Sequence, residues 1–117
     1  MTYFDFFVSA VPKDQRAAYE EFCQKMDPLF KEYGAIRTVE SWESDVPDGK
    51  LTSFPLAVKR TAGEAVVLGF VEWPSKAERD EAWGRMQNDP AMQPDKNPMP
   101  FDGKRMIYGG FDKIMEF

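Results

Sequence analysis

Four polar residues of this sequence have the types and spacing that recognition of a small molecule needs: Asp5, Asp102, Arg105 and Tyr108. The last three lie within seven residues of one another. An arginine fork can bind a carboxylate or phosphate through two parallel hydrogen bonds. Asp5 lies in an apolar stretch, and a desolvated carboxyl can serve as a base near neutral pH. The sequence predicts ligand binding by these four residues and identifies no catalytic residue.

Each of these residues also has a structural interpretation. Asp102 and Arg105 lie three residues apart across a turn, so the two can pair and lock the turn instead of binding an anion. Asp5 can be a carboxylate that is hydrogen-bonded or that lies at the rim of a pocket, rather than a base. An Asp-Gly-Lys tripeptide occurs at 48–50 and again at 102–104, and Asp-Gly is a turn signal in its own right.

The composition excludes several classes of site. The chain has no histidine and one cysteine, Cys23. A Ser-His-Asp triad, His-ligated haem and most zinc sites are therefore ruled out. Without a histidine to activate it, Cys23 is expected to be a small buried hydrophobic residue on a helix face. We expect neither a metal nor an organic cofactor.

The charge pattern bears on possible partners and location. The formal net charge is −5, and no cluster of Lys and Arg stands out. Nucleic acids and anionic membrane surfaces are therefore not expected partners. The N-terminal residues lack the basic and apolar regions of a signal peptide, and no apolar run reaches the length of a membrane span. The sequence predicts a cytoplasmic protein.

The elements that would position the polar residues alternate between strands and helices. Strands are predicted at 3–11, 35–43, 64–73 and 105–117, with a fifth extended stretch at 52–60 that is interrupted by Pro55. One helix follows Pro12 and ends at Gly34, with a kink or break near Pro28. A second begins at a capping box formed by Ser75 and Glu78. The pattern predicts residues 1–117 as a single α+β domain, a ferredoxin-like βαββαβ antiparallel sheet with two helices on one face.

The apolar residues of the first and third strands predict a homodimer. Both faces of these strands are apolar, and two helices can cover only one face of the sheet. The other face would exceed the apolar patch that soluble monomers usually expose. A second copy can cover it, giving a dimeric α/β barrel. The alternative is that Trp42, Phe54 and the Pro-rich segment 90–100 fold over that face.

Two long motifs make the sequence recognisable. The stretches DVPDGKLTSFP at 45–55 and MPFDGKRMIYGGF at 99–111 resemble the signature segments of the YbaA-like bacterial family of unknown function. The resemblance extends over nearly the whole chain. It implies the ferredoxin-like fold of the dimeric α/β-barrel kind and supplies no catalytic residues. Related barrels include small monooxygenases and muconolactone-isomerase-like enzymes, which is an analogy of fold only.

Three classes of function are compatible with this sequence. The first is a homodimer that binds a small molecule in an aromatic-lined cavity. The second is a cofactor-free isomerase or monooxygenase-like enzyme that uses Asp, Tyr, Arg or Lys. The third is a structural or stress-related interaction protein without a ligand. A cavity lined by Asp5, Tyr3 or Tyr108 would favour the first two classes.

Overall fold

The computed structural model describes residues 2–117, along which strands and helices alternate. Strand β1 is followed by helix α1, strand β2, the one-turn helix α2, strand β3, helix α3 and strand β4. Their bounds are, in that order, Tyr3–Pro12, Arg16–Glu32, Arg37–Trp42, Phe54–Ala57, Glu64–Trp73, Lys76–Met86 and Ile107–Asp112. Single 3-10 turns lie at Lys13–Gln15, Pro90–Met92 and Gly103–Arg105.

The strands form one antiparallel sheet in the order β2-β3-β1-β4. The two central strands pair along their whole length, from Tyr3 opposite Trp73 to Pro12 opposite Glu64. With α1 and α3 as the crossover helices, this is the ferredoxin-like arrangement. The fold class predicted from the sequence is confirmed.

The main core lies between the sheet and the two long helices. The odd-numbered residues of β1 and β3 point to this side, because side chains alternate along a strand. Two buried clusters hold the layers together. They comprise Tyr3, Val71, Trp73, Ala82 and Met86 around α3, and Val11, Tyr19 and Val67 around α1.

Helix α1 continues through Pro28 to Glu32, so of the two predicted effects of this proline, a kink or a break, the break is absent. Proline removes one backbone hydrogen bond, a local cost that packing on both sides can outweigh. Met26 is buried before the proline and Phe30 packs on the core after it. Gly34 follows the helix with a φ of +113°, as a residue that ends a helix should.

Residues 52–60 are predicted to be extended with an interruption at Pro55. The interruption is the helix α2, and the extended prediction on either side of Pro55 is wrong where α2 spans Phe54–Ala57. Ser53 Oγ accepts a hydrogen bond from the backbone N–H of Leu56 at 3.0 Å, and Pro55 occupies the first turn of α2. Both features favour helix initiation. Beyond α2, the fully buried Val58 packs against the sheet on the side opposite α1 and α3.

Strand β4 is shorter than predicted. Arg105 belongs to a 3-10 turn capped by Asp102, whose Oδ1 accepts from the backbone N–H of Lys104 at 3.0 Å. The β1–β4 register is continuous across Gly109 and Gly110, so β4 has no bulge at these glycines. Gly110 instead gives room to Tyr3, because a Cβ at position 110 would collide with the tyrosine ring and hydroxyl.

The second predicted helix begins where its capping box indicated. Ser75 Oγ accepts a hydrogen bond from the backbone N–H of Glu78 at 3.1 Å. Among residues 2–117, no helix combines the length and the apolar character that crossing a membrane requires.

Candidate functional site

Asp5, the first of the predicted ligand-binding residues, is buried beneath α3. Its carboxylate accepts hydrogen bonds from the indole N–H groups of Trp73 and Trp83, at 2.9 and 3.1 Å. Arg79 Nη2 donates to Asp5 Oδ1 at 2.7 Å, and the Arg79 guanidinium lies over the rings of Tyr3 and Trp83. This network joins β1 to β3 and α3, and Asp5 lies within a packed core.

Asp102 and Arg105 pair with each other, as the structural interpretation of these two residues predicted. Arg105 Nε donates to Asp102 Oδ2 at 3.0 Å. The same guanidinium holds the buried Glu64 through Nη1 and Nη2, at 2.8 and 2.7 Å, and also donates to the carbonyl of Lys59 at 2.9 Å. An anionic ligand at Arg105 would have to share these donors.

Tyr108 is 71% exposed on the edge strand β4. It pairs with Phe7 and therefore lies on the helix side of the sheet. Of the four predicted residues, the structure brings together Asp102 and Arg105, whereas Asp5 and Tyr108 belong to other surroundings. Ligand binding by these residues stays a prediction.

A second group of polar side chains lies between α1 and β2. Tyr19, Cys23 and Asp27 recur at intervals of four along α1 and so share one face of the helix. Glu40 of β2 points toward that face. Tyr19 donates its hydroxyl hydrogen to Glu40 Oε2 at 2.8 Å. The ligand atoms of Cys23, Asp27 and Glu40 all lie within 4.8 Å of one another. We call the carboxyl groups of Asp27 and Glu40 the acid pair.

The local sequence explains why Glu40 can reach α1. It stands opposite Gly69 of β3 in the sheet register. A Cβ at position 69 would lie only 2.7 Å from Glu40 Oε2 and would collide with the ring of Phe7. Only glycine leaves room for both side chains. Because position 69 has no side chain, the Glu40 carboxylate can lie on the helix side of the sheet.

The surroundings of the acid pair disfavour ionisation. Burial and the adjacent carboxyl of Asp27 raise the pKa of Glu40 to about 8. Burial also raises the pKa of Asp27, although its hydrogen bonds with Glu40 and Thr38 act in the opposite direction. None of the ion pairs formed within residues 2–117 includes either carboxyl. The pair therefore keeps a proton near neutral pH.

The neighbouring thiol and phenol are also held in their protonated forms. Burial raises the pKa of Cys23 to about 12, with a further contribution from Glu40, and the pKa of Tyr19 is raised for the same two reasons. Cys23, Asp27 and Glu40 could each offer a ligand atom to a metal ion. A metal needs these groups deprotonated, and their raised pKa values oppose that. The absence of a metal cofactor stays a prediction.

Aromatic rings flank the acid pair. The ring centroid of Tyr19 lies 6.2 Å from that of Trp42 and 5.9 Å from that of Phe101. Both partners lie on the helix side, so Trp42 does not cover the other face of the sheet.

The acid pair was not predicted from the sequence. Cys23 was expected to be a buried hydrophobic residue, whereas it is half-buried beside two carboxyls. The available signals were Asp27, four residues after Cys23 on the same helix face, and Glu40, which alternates with Val39 and Ser41 in β2. These signals are weak, because acids at such positions usually face solvent.

The side of the sheet opposite α1 and α3, which we call the open face, carries no helix layer among residues 2–117 except α2 at one end. There Val58 packs against Val8, Ala10 and Val66. At the other end, Lys113 and Arg37 lie over the rings of Phe4 and Phe70. The Pro-rich segment contributes Met92 to the core on the helix side instead. The apolar side chains of the open face that remain at least partly exposed are Phe4, Phe6, Val39, Leu68, Phe70, Ile107 and Phe111.

The rings of the open face contact one another. Phe6 lies 5.8 Å from Phe70 and 5.4 Å from Phe111, centroid to centroid, and Phe4 lies 5.6 Å from Phe70. They form one continuous aromatic surface across β3, β1 and β4.

Comparison with known proteins places this sequence in a family. The family model described as "Protein of unknown function (DUF1428)" matches residues 2–103. The chain belongs to this family.

Relatives of this DUF1428 protein share more than half of its residues. The uncharacterized protein YbaA of Escherichia coli strain K12 is 55% identical over 116 residues, covering 99% of both chains. YbaA of Shigella flexneri matches to the same extent. The family resemblance inferred from the two long motifs is thereby confirmed.

Two solved structures share the fold of this DUF1428 protein. One is Rv0793 from Mycobacterium tuberculosis, with a TM-score of 0.56 and 14% identity. The other is described as a dimeric ferredoxin-like protein from an uncultured marine organism, with a TM-score of 0.60 and 10% identity. Each alignment covers 99% of this chain and 98% of the other. At such identities the likeness concerns the fold alone.

Proposed function

We propose that the protein is a cytoplasmic homodimer, packed through the open face of its sheet, and that each subunit binds a small molecule at the acid pair. For the dimer, the main supporting observation is the partly exposed aromatic surface formed by Phe4, Phe6, Phe70 and Phe111. A surface of this kind in contact with water is costly, and packing a second copy on it removes that cost. The structural relative described as dimeric supports the same assembly.

Two adjacent residues of β4 make a matched test of the dimer. Ile107 lies on the open face and is 44% exposed, whereas Tyr108 points to the helix side. Sedimentation velocity of the parent should give about twice the 13.5 kDa chain mass. Ile107→Glu should sediment as a monomer, because it would bury a charge in the interface. Tyr108→Glu should remain dimeric. A monomeric parent would contradict the proposal.

For the ligand, the carrying observation is that the acid pair has no cationic partner among residues 2–117. Half-buried carboxyls of this kind lower stability and are more common at functional sites than elsewhere. The pair lies beside Tyr19, which packs against Trp42 and Phe101. A small molecule with an apolar body and one polar group fits these surroundings.

One observation favours a second candidate, a cofactor-free isomerase. With a pKa of about 8, Glu40 is present in both protonation states near neutral pH. Such a group can remove a proton from a carbon next to a carbonyl and return it to another atom of the same molecule.

A thermal-shift screen at pH 7 tests the site. Small carbonyl compounds and small amines are compared on the parent, on Glu40→Gln and on Glu81→Gln, whose side chain is exposed on α3. We expect at least one compound to raise the melting temperature of the parent and of Glu81→Gln but not that of Glu40→Gln. Stabilisation of all three proteins alike would mean that the compound binds elsewhere and would contradict binding at the acid pair. Stabilisation of none would favour the interaction protein without a ligand.

A further inference from the structure

The segment that contains α2 exposes apolar side chains although hydrogen bonds hold it in one conformation. Leu51 is 98% exposed, and Phe54 and Leu56 are each 49% exposed. We call residues 48–58 the α2 loop. Exposed apolar side chains clustered within six residues of a chain are unusual for a surface that faces only water.

Several hydrogen bonds fix the shape of the α2 loop. Ser53 Oγ donates to the carbonyl of Asp48 at 2.7 Å, and Arg60 Nη2 lies 2.8 Å from Asp48 Oδ1. Gly49 has a φ of +72°, and a Cβ there would lie 2.5 Å from the carbonyl oxygen of Thr52. A loop that is already ordered loses little conformational entropy on binding.

The α2 loop occupies the layer in which a partner sheet would lie. Val58 seats it on Val8, Ala10 and Val66 at one end of the open face. A helix with its side chains is about 10–12 Å across, and two sheets pack about 10 Å apart. The loop therefore rises above its own sheet to about the height of a second sheet packed beside it.

The uncovered part of the open face is small for a stable dimer. It spans four strands and about five residues of β1, or roughly 19 by 17 Å at usual strand spacings, which is about 320 Å² in projection. Stable interfaces bury about 800 Å² on each partner. Even with an allowance for the relief of the side chains, a dimer needs further apolar contacts from neighbouring segments.

We infer that the α2 loop is an intersubunit clasp, in which Leu51, Phe54 and Leu56 pack against a second copy of this chain. The inference rests on the proposed homodimer and specifies its interface. In a two-fold dimer each surface meets itself. The loop of each subunit then lies beside the sheet of the other, at opposite ends of the interface. The two loops limit how the sheets can slide, so they fix the relative position of the subunits.

Leu51→Asp tests the clasp. The side chain is almost fully exposed, so the substitution leaves the fold of the subunit intact. We expect the dissociation constant of the dimer, measured by sedimentation velocity over a dilution series, to rise by about tenfold or more. Tyr108→Asp, on the helix side, should have the dissociation constant of the parent. A parent-like value for Leu51→Asp would overturn the clasp and leave the dimer standing.

A photoreactive benzoylphenylalanine at position 51 supplies a direct readout. Irradiation of the dimer should give a denaturation-resistant product of twice the chain mass, and the same probe at position 108 should give none. Absence of this product from a protein that sediments as a dimer overturns the clasp. A parent that is monomeric at every concentration overturns the homodimer, and the clasp with it.

Discussion

At the scale of single residues, the acid pair is the feature with the clearest chemical consequence. Glu40 retains its proton because burial and the carboxyl of Asp27 both disfavour a second negative charge. The groups that face it are Tyr19, Cys23 and Asp27 from α1. None of these three is a cation, so nothing in the group offsets the cost of ionising Glu40. Stability should therefore depend on pH through this residue.

The direction of that dependence follows from the raised pKa. The folded protein binds the Glu40 proton more tightly than the unfolded chain, in which the pKa is 4.5. The stabilisation is fully present below pH 4.5 and is lost as the pH rises through about 8. For a half-buried carboxyl we expect a loss on the order of 2–3 kcal/mol over this range, after allowance for solvent screening.

Chemical denaturation between pH 5 and pH 9 measures this loss. Glu40→Gln cannot ionise, so the free energy of unfolding of this variant should fall less over the same range than that of the parent. Glu81→Gln makes the same change at an exposed site and should keep the pH profile of the parent. Parallel profiles for Glu40→Gln and the parent would show that Glu40 titrates normally in the folded state.

At the scale of elements, Arg105 ties three segments together. It pairs with Asp102 in its own turn, with Glu64 at the start of β3, and with the backbone of Lys59 before that strand. Lys59 has a φ of +52°, which is unfavourable for a residue with a side chain. The hydrogen bond to its carbonyl helps to hold this conformation. The turn that precedes β4 is thereby fixed to the loop that precedes β3.

Arg105→Ala should therefore lower the melting temperature by several degrees, and by more than Asp102→Asn does. The first variant leaves the buried Glu64 without its cationic partner, whereas the second removes one partner of Arg105 that lies partly in water. Differential scanning calorimetry of both variants at pH 7 measures the contrast. Equal losses in the two variants would mean that the Asp102 pair alone locks the turn.

The ion pair between Arg105 and Glu64 should also make the stability of the protein depend on pH under acidic conditions. The hydrogen bonds from Arg105 hold the pKa of Glu64 down at about 2. The stability that Glu64 contributes is present above its usual value of 4.5 and is lost as the pH falls through about 2. The difference in melting temperature between the parent and Arg105→Ala should accordingly narrow as the pH is lowered from 5 toward 2.

At the scale of the whole molecule, the two faces of the sheet are covered differently. Helices α1 and α3 cover one face, and the α2 loop covers one end of the other through Val58. The rest of the open face carries the aromatic surface on which the proposed dimer depends. Ile107→Glu in sedimentation velocity examines this surface, and Leu51→Asp examines the loop beside it. The first variant tests whether the protein dimerises, and the second tests whether the loops fix the relative position of the two subunits.

The order of the elements and the fold class follow from the sequence alone. The apolar stretches of β1 and β3, the helix end at Gly34 and the Ser75 cap are local patterns, and local patterns are preserved in the fold. The pairing of Asp102 with Arg105 was also predictable, because the two residues lie three apart. The two long motifs were enough to recognise the family.

Which polar residues meet depends on the three-dimensional fold. Glu40 lies 21 residues from Tyr19 along the chain, and its position depends on the space left by Gly69 in a neighbouring strand. Asp5 is held by Arg79 and Trp83 from a helix more than seventy residues away. The one-turn helix α2 depends on Ser53 and on packing against three residues of the sheet. Such contacts depend on distances between side chains that are remote in sequence, and no local pattern encodes those distances.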